Sequence, residues 1–143
     1  RRELVNVYLL KEDYLAAIEI AKDNYENQKL NAFHIQAYFL CLVRKAFLTK
    51  EDREKIEELF KNIERSFDSR SEEIHNVMKG EYQYYIKKDI TEAIRILRNC
   101  LKTNNNKHIP VKSLLEIYQK SNMSPAYNEL KASYKDITQS FFD

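Results

Sequence analysis

Residues 8–20 read YLLKEDYLAAIEI, and residues 84–96 read YYIKKDITEAIRI. The two stretches lie 76 residues apart and are identical at six of 13 positions, among them Asp13 with Asp89 and Ala17 with Ala93. Both place apolar residues three or four positions apart, the spacing that puts side chains on one face of a helix. Self-similarity at this scale indicates a repeated helical unit.

The same apolar stripe recurs at a spacing of 33 to 34 residues, widened once to 42 by a longer second unit. Breaks near residues 11, 29, 49, 70, 88, 106 and 122 predict about eight helices in four antiparallel pairs. The units of this single domain are about 1–29, 30–69, 70–105 and 106–143. Within them we expect one most-buried helix from Ala32 to Leu48 and one final helix with a stripe from Tyr127 to Ile137.

Helix starts are marked at five places. Thr49 and Asp89 are each followed three residues later by an acidic side chain, which is typical of a capping box, and Ser71 precedes two glutamates. Pro110 and the Ser124-Pro125 pair suit first helical turns. We expect the helix that begins after Thr49 to end near Phe67 and the helix that begins after Ser71 to end near Lys87.

Composition excludes several classes of protein. One glycine and two prolines in 143 residues leave little for tight-turned sheets or phosphate-binding loops, so the chain is predicted to be all-α. No apolar run approaches the roughly 20 residues of a membrane span. Two isolated cysteines, Cys41 and Cys100, suit a reducing compartment, and we expect an intracellular, cytoplasmic protein.

Two runs, Glu12 to Ala17 and Lys88 to Ala93, resemble the opening of the second helix in tetratricopeptide repeats (TPR), which commonly reads Gly-Asp/Asn-Tyr-x-x-Ala. Both runs keep the Asp and the Ala, and both lack the glycine. The resemblance implies an α-solenoid, a right-handed superhelical stack of about four helix pairs. A closed bundle of the same helices is the alternative architecture.

Catalysis has little support in the sequence. His34, His75 and His108 fall in three different units, and His34 and Cys41 are too far apart along a helix to share a metal ion without a third element. Cys41 is interpreted as a small buried hydrophobe. The acidic residues of 51–58 alternate with basic ones and form a solvated helix face. We therefore expect a non-enzyme without a cofactor or metal.

Tyrosine is the better indication of function, since three of the 10 tyrosines crowd residues 82–85. In the TPR family the first helix of each unit lines a concave groove. The resemblance therefore implies that a protein or peptide partner contacts a set of residues from the third and fourth units, with less certain register in the second. These are His75, Met78, Lys79, Tyr82 and Tyr85; then Lys112, Leu115, Tyr118 and Gln119; then Gln36, Leu40 and Val43.

The sequence leaves two other functions open beside this interaction module. One is a ligand-sensing regulatory segment with an attached DNA-binding or enzymatic effector, as in peptide-pheromone receptors. RNA binding is suggested by Arg95, Arg98, Lys102, Lys107 and Lys112, but a net charge of +2 disfavours nucleic acid as a partner. We also expect the chain to be a segment of a larger protein, able to self-associate through Phe141 and Phe142 at its open end.

Overall fold

The computed structural model describes residues 14–142, and this range contains eight helices and no strand. The helices are α1 (Tyr14–Asn27), α2 (Ala32–Val43), α3 (Lys50–Arg65), α4 (Ser71–Tyr85), α5 (Ile90–Thr103), α6 (His108–Lys120), α7 (Ser124–Ser133) and α8 (Lys135–Phe142). The expected all-α class is confirmed over this range. The helix expected before residue 11 lies outside it. None of the described helices is both long and apolar enough to cross a bilayer.

The first compact unit ends at His75 and contains α1, α2, α3 and the start of α4. Here α1 packs on α2, and α2 packs on α3. Tyr25 adds a polar link to this core, because its hydroxyl donates to Glu58 at 2.6 Å and accepts from Asn62 at 2.6 Å. The buried apolar side chains are Ala17, Ala21, Tyr25, Ala32, Ile35, Tyr38, Phe39, Cys41, Leu42, Val43, Ile56, Leu59, Ile63 and Ile74.

The second compact unit begins at Asn76 and contains the rest of α4 and helices α5 to α8. In this unit α6 packs on α5, α7 and α8. Gly80 of α4 lies directly against Leu97 of α5, with no room for a side chain between them. The buried cluster comprises Val77, Ala93, Leu97, Cys100, Leu101, Val111, Leu114, Leu115, Ile117, Tyr118 and Leu130.

Local sequence signals explain where several helices begin. The Thr49 hydroxyl accepts from the Asp52 amide while the Asp52 carboxylate accepts from the Thr49 amide, which confirms the predicted capping box. The Asp89 carboxylate accepts from the Glu92 amide and caps α5. Pro110 lies in the first turn of α6, where its missing N–H leaves no hydrogen bond unmade.

The expected extent of α2 and of α3 was wrong at both carboxyl ends. α2 ends at Val43 rather than Leu48, and Phe47, which lies beyond this end, is 76% exposed. α3 ends at Arg65, and Phe67 is 95% exposed. The buried side of α2 includes Ile35, Tyr38, Phe39 and Leu42. Because apolar residues occupy most of the circumference of α2, their spacing could not indicate which side packs against neighbouring helices.

The last expected helix is two helices, α7 and α8, which meet at Tyr134. Thr138 stabilises this break, because its buried hydroxyl donates to the carbonyl of Lys131 at 3.1 Å. A carbonyl near the end of α7 thus regains a partner that a continuous helix would have supplied. Tyr127, Leu130, Tyr134 and Ile137 all still pack on or within the core of the second unit.

Candidate functional site

α4 carries the tyrosines that the sequence singled out, and its faces differ in burial. Ile74, Val77, Met78 and Glu81 are buried, whereas Lys79 on the opposite flank is exposed. Tyr82 and Tyr85 are half-buried at the edges of that buried face. The spacing of three and four residues among the buried positions is the reason, since these side chains share one side of a helix.

Two contacts join α4 to α6 within the second unit. The Ser113 hydroxyl donates to the Glu81 carboxylate at 2.6 Å, and both side chains are buried. One turn further along, the ammonium nitrogen of Lys120 lies 5.4 Å from the centre of the Tyr85 ring, a cation–π distance. The Tyr84 ring meets Tyr85 edge to face, with 4.9 Å between ring centres. The first helices of the predicted third and fourth units are therefore direct neighbours.

This arrangement leaves five of the predicted partner-binding residues exposed or half-exposed on the two neighbouring helices. We call them the α4–α6 surface; they are Lys79, Tyr82, Tyr85, Lys112 and Gln119. Lys87 adds a further cation, with its ammonium nitrogen 6.0 Å from the Tyr82 ring centre. The surface thus combines amphipathic rings with ammonium groups, a chemistry suited to carboxylates and to polypeptide backbone.

Other residues predicted to line the groove are part of the core. Met78 is fully buried and Tyr118 is 1% exposed, because both lie in the middle of the packed faces of their helices. The Tyr118 hydroxyl accepts from Arg98 at 2.9 Å, so its polar end points to α5 rather than to a partner. Leu115 is buried in the same core. A partner could not reach these side chains.

The groove residues predicted in the second repeat unit, residues 30–69, are also buried or half-buried. Gln36 and Val43 are buried inside the first compact unit, and Leu40 is half-buried. His75 is also half-buried, and its ring packs edge-on against Phe60 with 5.8 Å between ring centres. His75 therefore has a packing role within the first compact unit and does not belong to the α4–α6 surface.

Glu81 is the residue that the sequence reasoning missed. It is 1% exposed, and it connects the tyrosine helix to Ser113. The signal was present, because Glu81 continues the spacing of Ile74 and Met78 and so lies on the inward face. A carboxylate at a core position must have a polar partner, and the neighbouring helix supplies a hydroxyl.

The two cysteines show no sign of reactivity. Both are buried, as expected for Cys41. Burial raises the pKa of the Cys41 thiol to about 12, so it stays protonated and is a poor nucleophile at physiological pH. Among the described residues no group of three His, Cys, Asp or Glu side chains is placed to hold a metal ion.

Comparison with protein-family models finds no matching family, and comparisons with curated proteins and with solved structures find no significant match. The resemblance to the TPR family therefore stays a prediction from the repeat spacing and the two quoted runs.

Proposed function

We propose that this chain is a non-catalytic protein-interaction module of TPR type, in which the α4–α6 surface binds a segment of a partner polypeptide. The observation that carries this proposal is the direct packing of α4 on α6 through Glu81 with Ser113 and Tyr85 with Lys120. In a stack of helix pairs, neighbouring first helices form one continuous surface, and here that surface displays tyrosine and lysine.

The chemistry of the surface favours an acidic partner. Tyrosine rings offer large contact area at low cost in side-chain entropy, and they often contribute much of the binding energy at protein interfaces. Lys79 and Lys112 are exposed on the same pair of helices and would attract carboxylates. The finer part of the proposal is that all four helix pairs form a right-handed superhelical stack, since only such a stack extends the surface beyond two units.

Affinity capture with the chain as bait tests this proposal. We expect Tyr82→Ala and Lys79→Glu to weaken capture of the bound polypeptide, the tyrosine change by roughly 1–2 kcal/mol, while the thermal unfolding curve stays close to that of the original chain. Lys61→Glu on the exposed face of α3 is the charge-matched control and should leave capture unchanged. A partner that binds all three variants equally well would disprove this role of the surface.

A further inference from the structure

An open groove with a volume of about 590 Å³ lies within the second compact unit, between α5 and α7. The α5 side contributes Arg95, Arg98 and Lys102, and the α7 side contributes Glu129. Ala126 and Tyr134, which are half-buried, add apolar surface to the lining. Three cationic side chains therefore line a groove that contains one carboxylate.

The basic cluster noted in the sequence is divided by the fold. Lys107 donates to the backbone carbonyl of Asn104, and Lys112 belongs to the α4–α6 surface. Only Arg95, Arg98 and Lys102 of that cluster line the groove between α5 and α7. This division concentrates positive charge at one concave place on the second unit.

The three cations differ in how far they are already neutralised. Arg95 donates to Glu92 through Nε at 2.9 Å and through a second nitrogen, so this pair is internally balanced. Arg98 donates one N–H to the neutral hydroxyl of Tyr118, which holds the guanidinium in place without cancelling its charge. Lys102 has no ion-pair partner among the described residues.

The groove is not closed by an ion pair across it. Glu129 and Lys102 both line it, yet neither takes part in an ion pair within residues 14–142. Positive charge is thus available on the α5 wall, and a carboxylate stands on the α7 wall. A nucleic-acid strand carries a phosphate at every nucleotide, so Glu129 would repel the phosphates along the α7 wall, whereas a peptide can place an uncharged residue there.

We propose that this groove binds an acidic peptide segment. A carboxylate of the peptide pairs with Arg98 and Lys102 on the α5 wall, and an apolar side chain of the peptide contacts Ala126. Backbone N–H groups of the peptide can donate to Glu129 on the opposite wall. The site shares no residue with the α4–α6 surface. A negative result for this groove would therefore leave the proposed function unaffected, and the reverse also holds.

Fluorescence anisotropy with a labelled Asp-Glu-Leu-Asp-Glu-Leu peptide tests the proposal at low ionic strength. An Asn-Gln-Leu-Asn-Gln-Leu peptide of the same length is the uncharged control, and a uridine hexamer tests nucleic acid. We expect binding of the acidic peptide alone, weakening as salt is added. Tighter binding of the uridine hexamer than of the acidic peptide would overturn the proposal.

Variants that are expected to change peptide affinity in opposite directions locate the binding site. Lys102→Gln should weaken peptide binding by about two- to fivefold, the range typical of one exposed charge pair, and Glu129→Gln should strengthen it by a similar factor. Ser133→Trp should block binding by filling the groove that Ser133 lines. Lys102 contacts no charged partner in the described fold, so its replacement leaves folding intact.

The matched control is Lys61→Gln, which removes one exposed lysine from α3 in the first unit. It should leave peptide binding unchanged. Equal weakening by Lys61→Gln and Lys102→Gln would show that only the overall charge of the chain matters. Either that result or undiminished binding by the Ser133→Trp variant would disprove the groove as the site.

Discussion

Lys88 adopts a left-handed backbone conformation, with φ of 59°, between α4 and α5. It stands where the TPR pattern commonly has glycine, just before the Asp that caps the second helix. A side chain in this conformation costs about 1–2 kcal/mol. Lys88 adopts it because the turn is fixed by Asp89 on one side and by α4 on the other. Asn122, with φ of 57° between α6 and α7, occupies the same conformation at lower cost.

Lys88→Gly should therefore stabilise the chain. Relief of the strain outweighs the extra backbone entropy of glycine in the unfolded state, and we expect a net gain of about 0.5–1 kcal/mol in the free energy of unfolding. Urea unfolding followed by circular dichroism measures it. Asn122→Gly is the matched control and should change stability by only a few tenths of a kcal/mol, since Asn tolerates this conformation. A loss of stability in Lys88→Gly would refute the strain argument.

Tyr25 and Glu58 form a pH-sensitive link between α1 and α3. Hydrogen bonding from Tyr25, the largest cause, and from Lys55 lowers the pKa of Glu58 from its usual 4.5, although partial burial opposes the shift. Burial, followed by the neighbouring Glu58, raises the pKa of the Tyr25 phenol, which therefore stays protonated and donates. A lowered carboxyl pKa adds stability above the unfolded value, and this stability is lost as pH falls through the folded value.

Tyr25→Phe should remove most of this pH dependence. Near neutral pH we expect the free energy of unfolding to fall by about 1 kcal/mol, the usual contribution of such a hydrogen bond. On acidification below the ordinary glutamate pKa of 4.5, the original chain should lose more stability than the variant, so the difference between them narrows. Denaturant unfolding at a series of pH values measures this difference. A constant difference across the series would contradict the assignment.

At the scale of helices, Gly80 determines how closely α4 approaches α5. A Cβ atom at this position would lie 2.7 Å from Cγ and 3.0 Å from Cδ2 of Leu97, and 3.3 Å from Cγ2 of Ile96. Leu97 is fully buried and has little space to move. The chain's only glycine thus serves close helix packing rather than a turn, and its φ is not positive.

Gly80→Ala has two opposite effects on the free energy of unfolding, and the size of each is known. Alanine is favoured over glycine in a helix by up to about 1 kcal/mol, whereas overpacking a buried contact costs about 1–3 kcal/mol. We expect overpacking to prevail, with a net loss of about 0.5–2 kcal/mol measured by thermal or urea unfolding. In a Leu97→Ala background the same change should be neutral or stabilising. Stabilisation in the original background would show that the helices can separate freely.

Local signals at helix starts were readable from the sequence, whereas tertiary contacts were not. The Thr49 capping box and the Asp89 cap each depend on residues three positions apart, so the sequence contains the whole motif. The break at Tyr134 depends on the hydrogen bond from the Thr138 hydroxyl to the Lys131 carbonyl. The apolar stripe, in contrast, predicts one uninterrupted helix. Periodicity could not show this, because the stripe continues through the break.

The candidate site was only partly predictable for a related reason. The sequence grouped Met78, Lys79 and Tyr82 as residues that line one groove, but which side of α4 a neighbouring helix covers depends on packing far along the chain. The buried Tyr118 illustrates the point, since its ring belongs to the core and its hydroxyl meets Arg98 across 20 residues. Tyrosine content alone suggested a binding surface, and packing divides the tyrosines between surface and core.

For the whole molecule, the proposed stack and a closed bundle make different predictions for the distance between the first and last helix pairs. Neighbouring helices pack about 8–10 Å apart, so three steps from pair to pair in a stack separate α1 from α7 by roughly 25–30 Å. In a closed bundle the first and last pairs are adjacent, and the distance falls to about one step.

Spin labels attached at Glu19→Cys in α1 and Asn128→Cys in α7, both exposed positions, allow this distance to be measured by pulsed electron resonance. Cys41 and Cys100 are buried, and the raised pKa of Cys41 further slows its labelling, so both can be kept. A second pair at Asn99→Cys in α5 and Asn128→Cys in α7, both in the second compact unit, gives the reference distance for neighbouring helix pairs. A distance for the first pair no longer than that of the reference pair would favour the closed bundle, and the extended partner-binding groove would lose its basis.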